Sequence, residues 1–164
     1  MLLRALEPED LECLYELEND EETWAYADTS APYSRYTLNQ FIGLNTNDFF
    51  ADRQLRLVAQ EGDDVVGLVD IFAFNPKHQR AEVGIILLRK FRNRGLGSKM
   101  LDALNLYVSR HIHLHQLIAY VATENQSAKK TFQNSGYQHT AILKDWICVG
   151  DDTFYDADVY QKSF

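Results

Sequence analysis

Cysteine is nearly absent. Cys13 and Cys148 are the only two in 164 residues, and they stand far apart. That excludes a disulfide framework and offers no zinc-ligand spacing, so a reducing cytoplasm is the expected compartment. Long apolar runs are missing too. No stretch approaches the roughly 20 residues that a membrane-spanning helix needs, and the N-terminus does not read as a signal peptide. Basic residues are in deficit, 16 Lys and Arg against 24 Asp and Glu, for a net charge of −8. This balance argues against a nucleic-acid binder and suits a cationic substrate. His78, His111, His113, His115 and His139 show no spacing tied to a second ligand motif, so no metal is expected. No repeat, low-complexity tract or linker interrupts the chain. The rest is an ordinary globular mixture, 46% apolar and 24% charged, which reads as a single domain over residues 1–164 with a substantial core.

The most informative stretch runs from Ala81 to Tyr107. Val83-Gly84-Ile85-Ile86-Leu87-Leu88 is a continuous apolar run rich in branched residues, the pattern of a buried strand. After it, Leu96, Met100, Leu101, Leu104, Tyr107 and Val108 recur at helical spacing. Between them lies Arg92-x-x-Gly95-x-Gly97. A strand thus feeds a short loop that opens a helix, whose unpaired N–H groups and dipole form a ready anion site. Gly95 and Gly97 let the backbone approach a ligand closely. Five of the 16 Lys and Arg fall between Arg89 and Lys99, a local reversal of charge that favours phosphate or pyrophosphate. The same features also describe a plain strand–turn–helix whose glycines only make the turn. The pattern is not a P-loop, which ends in Gly-Lys-Ser/Thr. Nor is it a dinucleotide fingerprint, because Met100 stands where a third glycine or alanine is required.

In chain order, Leu2 to Leu6 reads as a strand, and Pro8-Glu9-Asp10 starts a helix with buried Leu11, Leu14, Tyr15 and Leu17. An acidic run follows (Glu16, Glu18, Asp20, Glu21, Glu22), then Trp24, Tyr26, Tyr33 and Tyr36 in an irregular stretch. That combination suits an amine-binding mouth and equally a solvated helix end with an aromatic-anchored loop. Thr37 to Phe50 reads as a second helix, its inner face marked by Leu38, Phe41, Ile42, Asn45 and Phe49. Leu55 to Gln60 and Val65 to Phe74 form a hairpin around Gly62-Asp63-Asp64. Asn75-Pro76-Lys77 then turns the chain into the strand Arg80 to Leu88. Past the central helix, Leu117 to Ala122 is a strand that should lie parallel to its predecessor, or splay from a parallel start. Asn125-Gln126-Ser127-Ala128 opens a helix ended by Gly136. Tyr137 to Ile147 and Thr153 to Gln161 close the chain as a hairpin around Gly150-Asp151-Asp152.

This order and three motifs together resemble the GNAT superfamily of N-acetyltransferases over essentially the whole chain. Arg92/Gly95/Gly97 matches its Arg/Gln-x-x-Gly-x-Gly/Ala signature. The stretch Gly67 to Asn75, Arg80-Ala81-Glu82, Glu124-Asn125 and Ser135-Gly136-Tyr137 most resemble bacterial spermidine N-acetyltransferases and ribosomal-protein N-terminal acetyltransferases. The resemblance implies an α/β GNAT (acyl-CoA N-acyltransferase) fold, a mixed, mostly antiparallel sheet with helices on both faces. It implies acetyl-CoA as donor. Arg92 and the backbone around Arg94, Gly95, Leu96, Gly97, Ser98 and Lys99 would then hold the pyrophosphate. The strand ending in Leu87 and Leu88 would pair with the pantetheine arm. Asn125 matches the asparagine that contacts the cofactor in the family, and is equally suited to capping the next helix.

The implied reaction is direct attack of an amine on the thioester. An amine of Lys-like pKa, about 10.4, is mostly charged at neutral pH, so a carboxylate acting through water is the expected base. Glu82 stands where the family often places one; its alternative is a strand-end charge paired with Arg80. Many members carry a tyrosine at the position of Phe132, and a phenyl ring cannot donate a proton. Tyr120, Tyr137 and Tyr155 are candidate substitutes. The expected activity is acetyl-CoA-dependent acetylation of a small primary amine, polyamines or diamines first. The alternatives are a peptide or ribosomal-protein N-terminal acetyltransferase, or a non-catalytic acyl-CoA-binding module. A homo-oligomer, most simply a dimer, is the commonest arrangement for such proteins.

Overall fold

The computed structural model describes residues 1–24, 26, 29, 31–46, 48–150 and 152–164. The first strand, β1 (Leu2–Arg4), leads through a 3-10 turn at Pro8–Asp10 into α1 (Leu11–Glu18). Asp10 ties this entry down. It is buried, accepts the Glu7 N–H at 2.9 Å and takes both Arg4 Nη groups at 2.7 and 2.8 Å. A short helix, α2 (Glu21–Trp24), occupies part of the stretch expected to be irregular.

The helix expected over Thr37 to Phe50 is two helices, α3 (Arg35–Leu44) and α4 (Phe49–Asp52). Ser34 starts the first by accepting the Thr37 N–H at 3.1 Å, an N-cap placed ahead of the apolar pattern. Asn45 turns extended and ends it, and the Asp48 carboxylate restarts the chain by accepting from Phe50 and Ala51. Phe49 is buried as expected, but in a different core from Leu38 and Ile42. Asn47, inside the expected helix, lies outside the described residues.

The remaining strands are β2 (Leu55–Glu61), β3 (Asp64–Asn75), β4 (Arg80–Leu87), β5 (Gln116–Ala122), β6 (Gln138–Gly150) and β7 (Thr153–Ser163). They form one seven-stranded sheet in the order β1-β2-β3-β4-β5-β7-β6. Every neighbour is antiparallel except β4 and β5. The closing strands are the expected hairpin, with β7 inserted against β5 and β6 left at the edge; Asp151 of its turn is outside the described residues. Helix α5 (Leu96–Tyr107) connects β4 to β5, and α6 (Gln126–Asn134) follows β5.

Alternation along the strands divides the core in two. Val58, Leu68 and Leu88 point to one face, where Leu14 and Leu17 of α1 and Leu38 and Ile42 of α3 cover them. Leu57, Val69, Ile71, Ala81 and Val83 point to the other, under Met100, Leu101 and Leu104 of α5 and Phe132 of α6. The predicted mixed sheet with helices on both faces is what forms. Among the described residues no helix is long and apolar enough to cross a membrane.

The two sides of α5 give a direct check on this packing. Leu104 is fully buried, whereas Leu106 is 50% exposed. Leu104→Ala should cost about 2–5 kcal/mol in denaturant unfolding through the cavity it leaves. Leu106→Ala should stay within about 0.5 kcal/mol.

Candidate active site

Strands β4 and β5 pair over three positions only, Arg80 with Gln116, Ala81 with Leu117 and Glu82 with Ile118. Beyond Glu82 they part, while β4 stays paired with β3 as far as Leu87. The β4 edge from Val83 to Leu87 therefore faces a gap with no strand in it. An extended chain carrying amide groups could hydrogen-bond there in place of a strand.

At the far end of β4 the chain makes a 3-10 turn at Arg89–Phe91 and enters α5. Asn93 and Gly95 both adopt left-handed conformations, with φ of 60° and 72°. At Gly95 that conformation carries no steric cost, and Gly95 is the N-cap of α5. It has no side chain to cap the helix, so the first-turn N–H groups of Leu96, Gly97 and Ser98 lack that partner. The turn is open to an anion. Gly97 serves packing as well. It is buried, and a Cβ there would sit 3.0 Å from Thr131 Cγ2 and 3.4 Å from Ile85 Cδ1. Its missing side chain lets α5 approach α6, where the Ser135 hydroxyl donates to the Ser98 carbonyl at 3.1 Å.

The basic cluster is less available than its composition implies. Arg89 donates to Asp20 Oδ1 at 2.6 Å and lies 3.3 Å from Glu22. Arg92 donates to Asp20 Oδ2 at 2.7 Å, to Glu22 at 3.2 Å and to the Leu87 carbonyl at 3.0 Å. Lys99 pairs with Glu61 at 2.7 Å. Among the described residues only Lys90 and Arg94 of the five have no acidic partner; both lie over the Phe91 ring, at 5.0 and 5.9 Å. The hydrogen bond from Arg89, and then that from Arg92, hold the Asp20 carboxyl at about 2, against the opposing effect of burial. Asp20 also accepts the Glu22 N–H at 3.2 Å, so one carboxylate joins α2 to the β4–α5 loop.

Asn125 precedes α6 and its Oδ1 accepts the Ala128 N–H at 3.0 Å; the capping role is in place. Phe132, on α6, is 4% exposed and packs between the rings of Tyr137 and Tyr160, at 5.1 and 6.0 Å.

Glu82 is half-buried at the last β4–β5 rung. Phe72 lies opposite it on β3 and Asp70 opposite Gly84, so all four share the face that carries α1 and α3. Tyr120 follows two residues after Ile118 on that same face, and its ring meets Trp146 at 5.9 Å. Phe72, Tyr120 and Trp146 are all exposed, and they give an aromatic surface on the side of the sheet that Glu82 faces. The aromatic pair and the ion triad beside it were not expected from sequence. In that triad Arg56 bridges Asp70, at 2.6 Å, and Glu18 of α1. Trp24 donates its indole N–H to the Glu18 carbonyl at 2.8 Å. Of the acidic run, Glu18, Asp20 and Glu22 are thus bound to arginines. Glu16, Asp20 and Glu21, with Leu17, Asn19, Leu88 and Arg89, line a cleft of about 300 Å³. Among the described residues no group of three or more His, Cys, Asp or Glu could hold a metal.

A family model described as an acetyltransferase (GNAT) domain matches residues 1–138. Spermidine N(1)-acetyltransferase of Vibrio cholerae is 25% identical over 139 residues, 84% of this chain and 78% of the relative. The enzyme of that description from Escherichia coli K12 is 26% identical over 135 residues, 82% and 71% respectively. A crystal structure of Vibrio cholerae spermidine N-acetyltransferase in complex with CoA and spermine superposes with a TM-score of 0.85. It shares 22% identity and covers 99% of this chain and 94% of that one.

The Asp20 clamp has a pH signature. Its depressed carboxyl contributes stability above the ordinary carboxylate range, and that contribution is lost as the pH falls through the folded value of about 2. Asp20→Asn should cost about 1–3 kcal/mol near neutrality. The gap in melting temperature from the wild type should narrow between about pH 4 and about pH 2. A constant gap across that range would remove the carboxylate from the account.

Proposed function

The chain belongs to the GNAT acetyltransferase family, acetyl-CoA-dependent N-acetyltransferases, and from that premise we propose that it acetylates a primary amine of a polyamine or other small diamine. The observation that carries this reading is the gap that opens beside Glu82. It joins an anion-receptive helix end on one side of the sheet to an acidic and aromatic surface on the other. The curated relatives at 25% and 26% identity are spermidine acetyltransferases, and the net charge of −8 favours a cationic acceptor. Cys13 and Cys148 are free thiols, in keeping with a cytoplasmic setting.

Acetyl-CoA supplies a thioester carbonyl and a thiol leaving group. The α5 N-terminus, through the N–H groups of Leu96, Gly97 and Ser98, receives the pyrophosphate, with Arg94 and Lys90 as the cations that have no acidic partner among the described residues. Arg92 and Lys99 act through the loop's shape, since Asp20 and Glu61 hold their charges. The edge of β4 up to Leu87 and Leu88 aligns the pantetheine amides, and Asn125 fixes the opposite wall as the cap of α6. On the acceptor side, Phe72, Tyr120 and Trp146 attract the cation by their ring faces. The acceptor ammonium loses one proton to solvent, and the neutral nitrogen attacks the carbonyl carbon. Glu82 takes the nitrogen's surplus proton through water as the C–S bond breaks and its electron pair leaves with sulfur.

Release of CoA thiol across a panel of amines tests this reading. Spermidine or a diamine should show a higher kcat/KM than neutral amines, with an advantage that shrinks as salt rises. Glu82→Gln should lower kcat about a hundredfold with little effect on acetyl-CoA binding. Arg94→Ala should weaken acetyl-CoA about tenfold, by loss of a charge-assisted contact. Faster turnover of a peptide N-terminus than of any polyamine would transfer the assignment to protein acetylation. CoA binding with no turnover of any amine would leave a binding module.

A further inference from the structure

The reaction must put a proton on the departing sulfur, and Phe132 has none to give. Of the nearby tyrosines, Tyr137 donates its hydroxyl to Asn105 Oδ1 at 3.0 Å inside the core. The Tyr160 hydroxyl lies 3.4 Å from the Gln133 amide, and the residue is 1% exposed. Tyr155 sits on β7 beyond its last rung with β5, Ala122 with Ala157, one strand removed from the gap. Tyr120 is placed differently. It stands on β5 two residues past the final β4–β5 rung, so it borders the gap at the level of Gly84, on the face that Glu82 shares, with its ring against Trp146. Gly84 contributes no side chain there, and the nearest atom to a Cβ on it would be Phe72 Cε1 at 3.6 Å. β4 thus puts no side chain beside Tyr120, and the Phe72 ring of β3 lies over Gly84. Glu82 is the neighbour of Tyr120 on the same face, one level back.

We propose that Tyr120 is the acid of the acetyl transfer, donating its phenolic proton to the CoA sulfur as the C–S bond breaks. This rests on the acetyltransferase reading above, and not on which amine is the acceptor. The balance is closed by Glu82. The amine nitrogen forms its bond to the carbonyl carbon and gives up one proton to Glu82 through water. The C–S electron pair goes to sulfur, which takes the Tyr120 proton. Glu82 then returns its proton to the tyrosinate. One proton has moved from nitrogen to sulfur, and both side chains end as they began. Burial, and then the nearby Glu82 carboxylate, raise the Tyr120 pKa against the opposing Arg80. The hydroxyl is thus protonated when it is needed.

The test compares Tyr120→Phe with the wild type. The substitution keeps the ring against Trp146, so acceptor recognition and folding are preserved. With acetyl-CoA and the best amine of the panel, kcat should fall about ten- to a hundredfold, with both KM values within about twofold. A second readout needs no acceptor. Wild-type protein should bind CoA about fivefold tighter than desulfo-CoA, through the hydroxyl–sulfur hydrogen bond; in Tyr120→Phe that ratio should drop to about one. Tyr137→Phe, which loses a core hydroxyl, should melt lower and keep the wild-type ratio. An unchanged CoA to desulfo-CoA ratio in Tyr120→Phe, with unchanged kcat, overturns the assignment. If the wild type turns over no amine yet shows the ratio and its loss, the acceptor reading fails while Tyr120 remains at the sulfur.

Discussion

The three-position contact between β4 and β5 is the constraint from which the candidate site follows. Each of these strands is held firmly on its outer side. β4 pairs with β3 up to Leu87, and β5 pairs with β7 at all seven of its residues, Gln116 to Ala122. Each half twists as an antiparallel sheet should. The parallel contact joining them is short and is made at one end only. Past Glu82 and Ile118 the halves diverge, and the edge they expose lies in the middle of a sheet, where edges are normally paired. A ligand that supplies strand-like hydrogen bonds is the natural way to satisfy it.

Electrostatics then decides what sort of ligand each side can take. A bare count of five Lys and Arg between Arg89 and Lys99 overstates the positive field at the loop. Asp20, Glu22 and Glu61 have claimed three of them. What is left for an anion is a helix N-terminus, the backbone around Gly95, and Lys90 and Arg94. Helix ends and fixed N–H groups hold a phosphate with directional hydrogen bonds, and do so without collapsing when the site is empty. The paired arginines keep the loop in shape, and Asp20 extends that hold to α2. In the same way Glu18 and Asp70 are partly neutralised by Arg56. The acceptor side is thus less acidic than the run Glu16 to Glu22 suggests, and relies more on aromatic faces.

Features set by local spacing were readable from the chain. The apolar run Val83 to Leu88, the glycine turn into α5, the cap at Asn125 and the stop at Gly136 each depend on a few neighbouring residues. The parallel start and splay of β5 also followed, because a helical crossover allows little else. Features set by distant partners were hidden. Arg89 and Arg92 meet acids about 70 residues away, and no spacing rule announces that. The packing role of Gly97 was hidden as well, because its partner, Thr131 of α6, lies in another element. The break at Asn45 was missed because the apolar pattern runs on to Phe49, which is buried in the opposite core. The ring contact of Trp146 with Tyr120 joins two strands that are not neighbours in the sheet, so no local spacing announces it.

Phe132 shows how the two kinds of information combine. From sequence it is only a missing hydroxyl at a position where relatives often carry one. In the structure its ring meets Tyr137 edge-to-face and stacks on Tyr160, an aromatic cluster that anchors α6 to the closing hairpin. The position has therefore been given to packing, and the donor proposed above stands on the other wall of the gap. A thiol of pKa about 8.5 leaves without much help, so the chemistry tolerates a donor approaching from a new direction. Glycine at position 84 adds no side chain there, and the Phe72 ring lies over it. The side chain bordering the gap at that level, two residues past the last shared rung, is a tyrosine with its ring steadied by Trp146. A general acid on β5 and a base on β4 would then stand on opposite sides of the same opening. The divergence of two strands would thus set both the room for the thioester and the separation of the groups that move its proton.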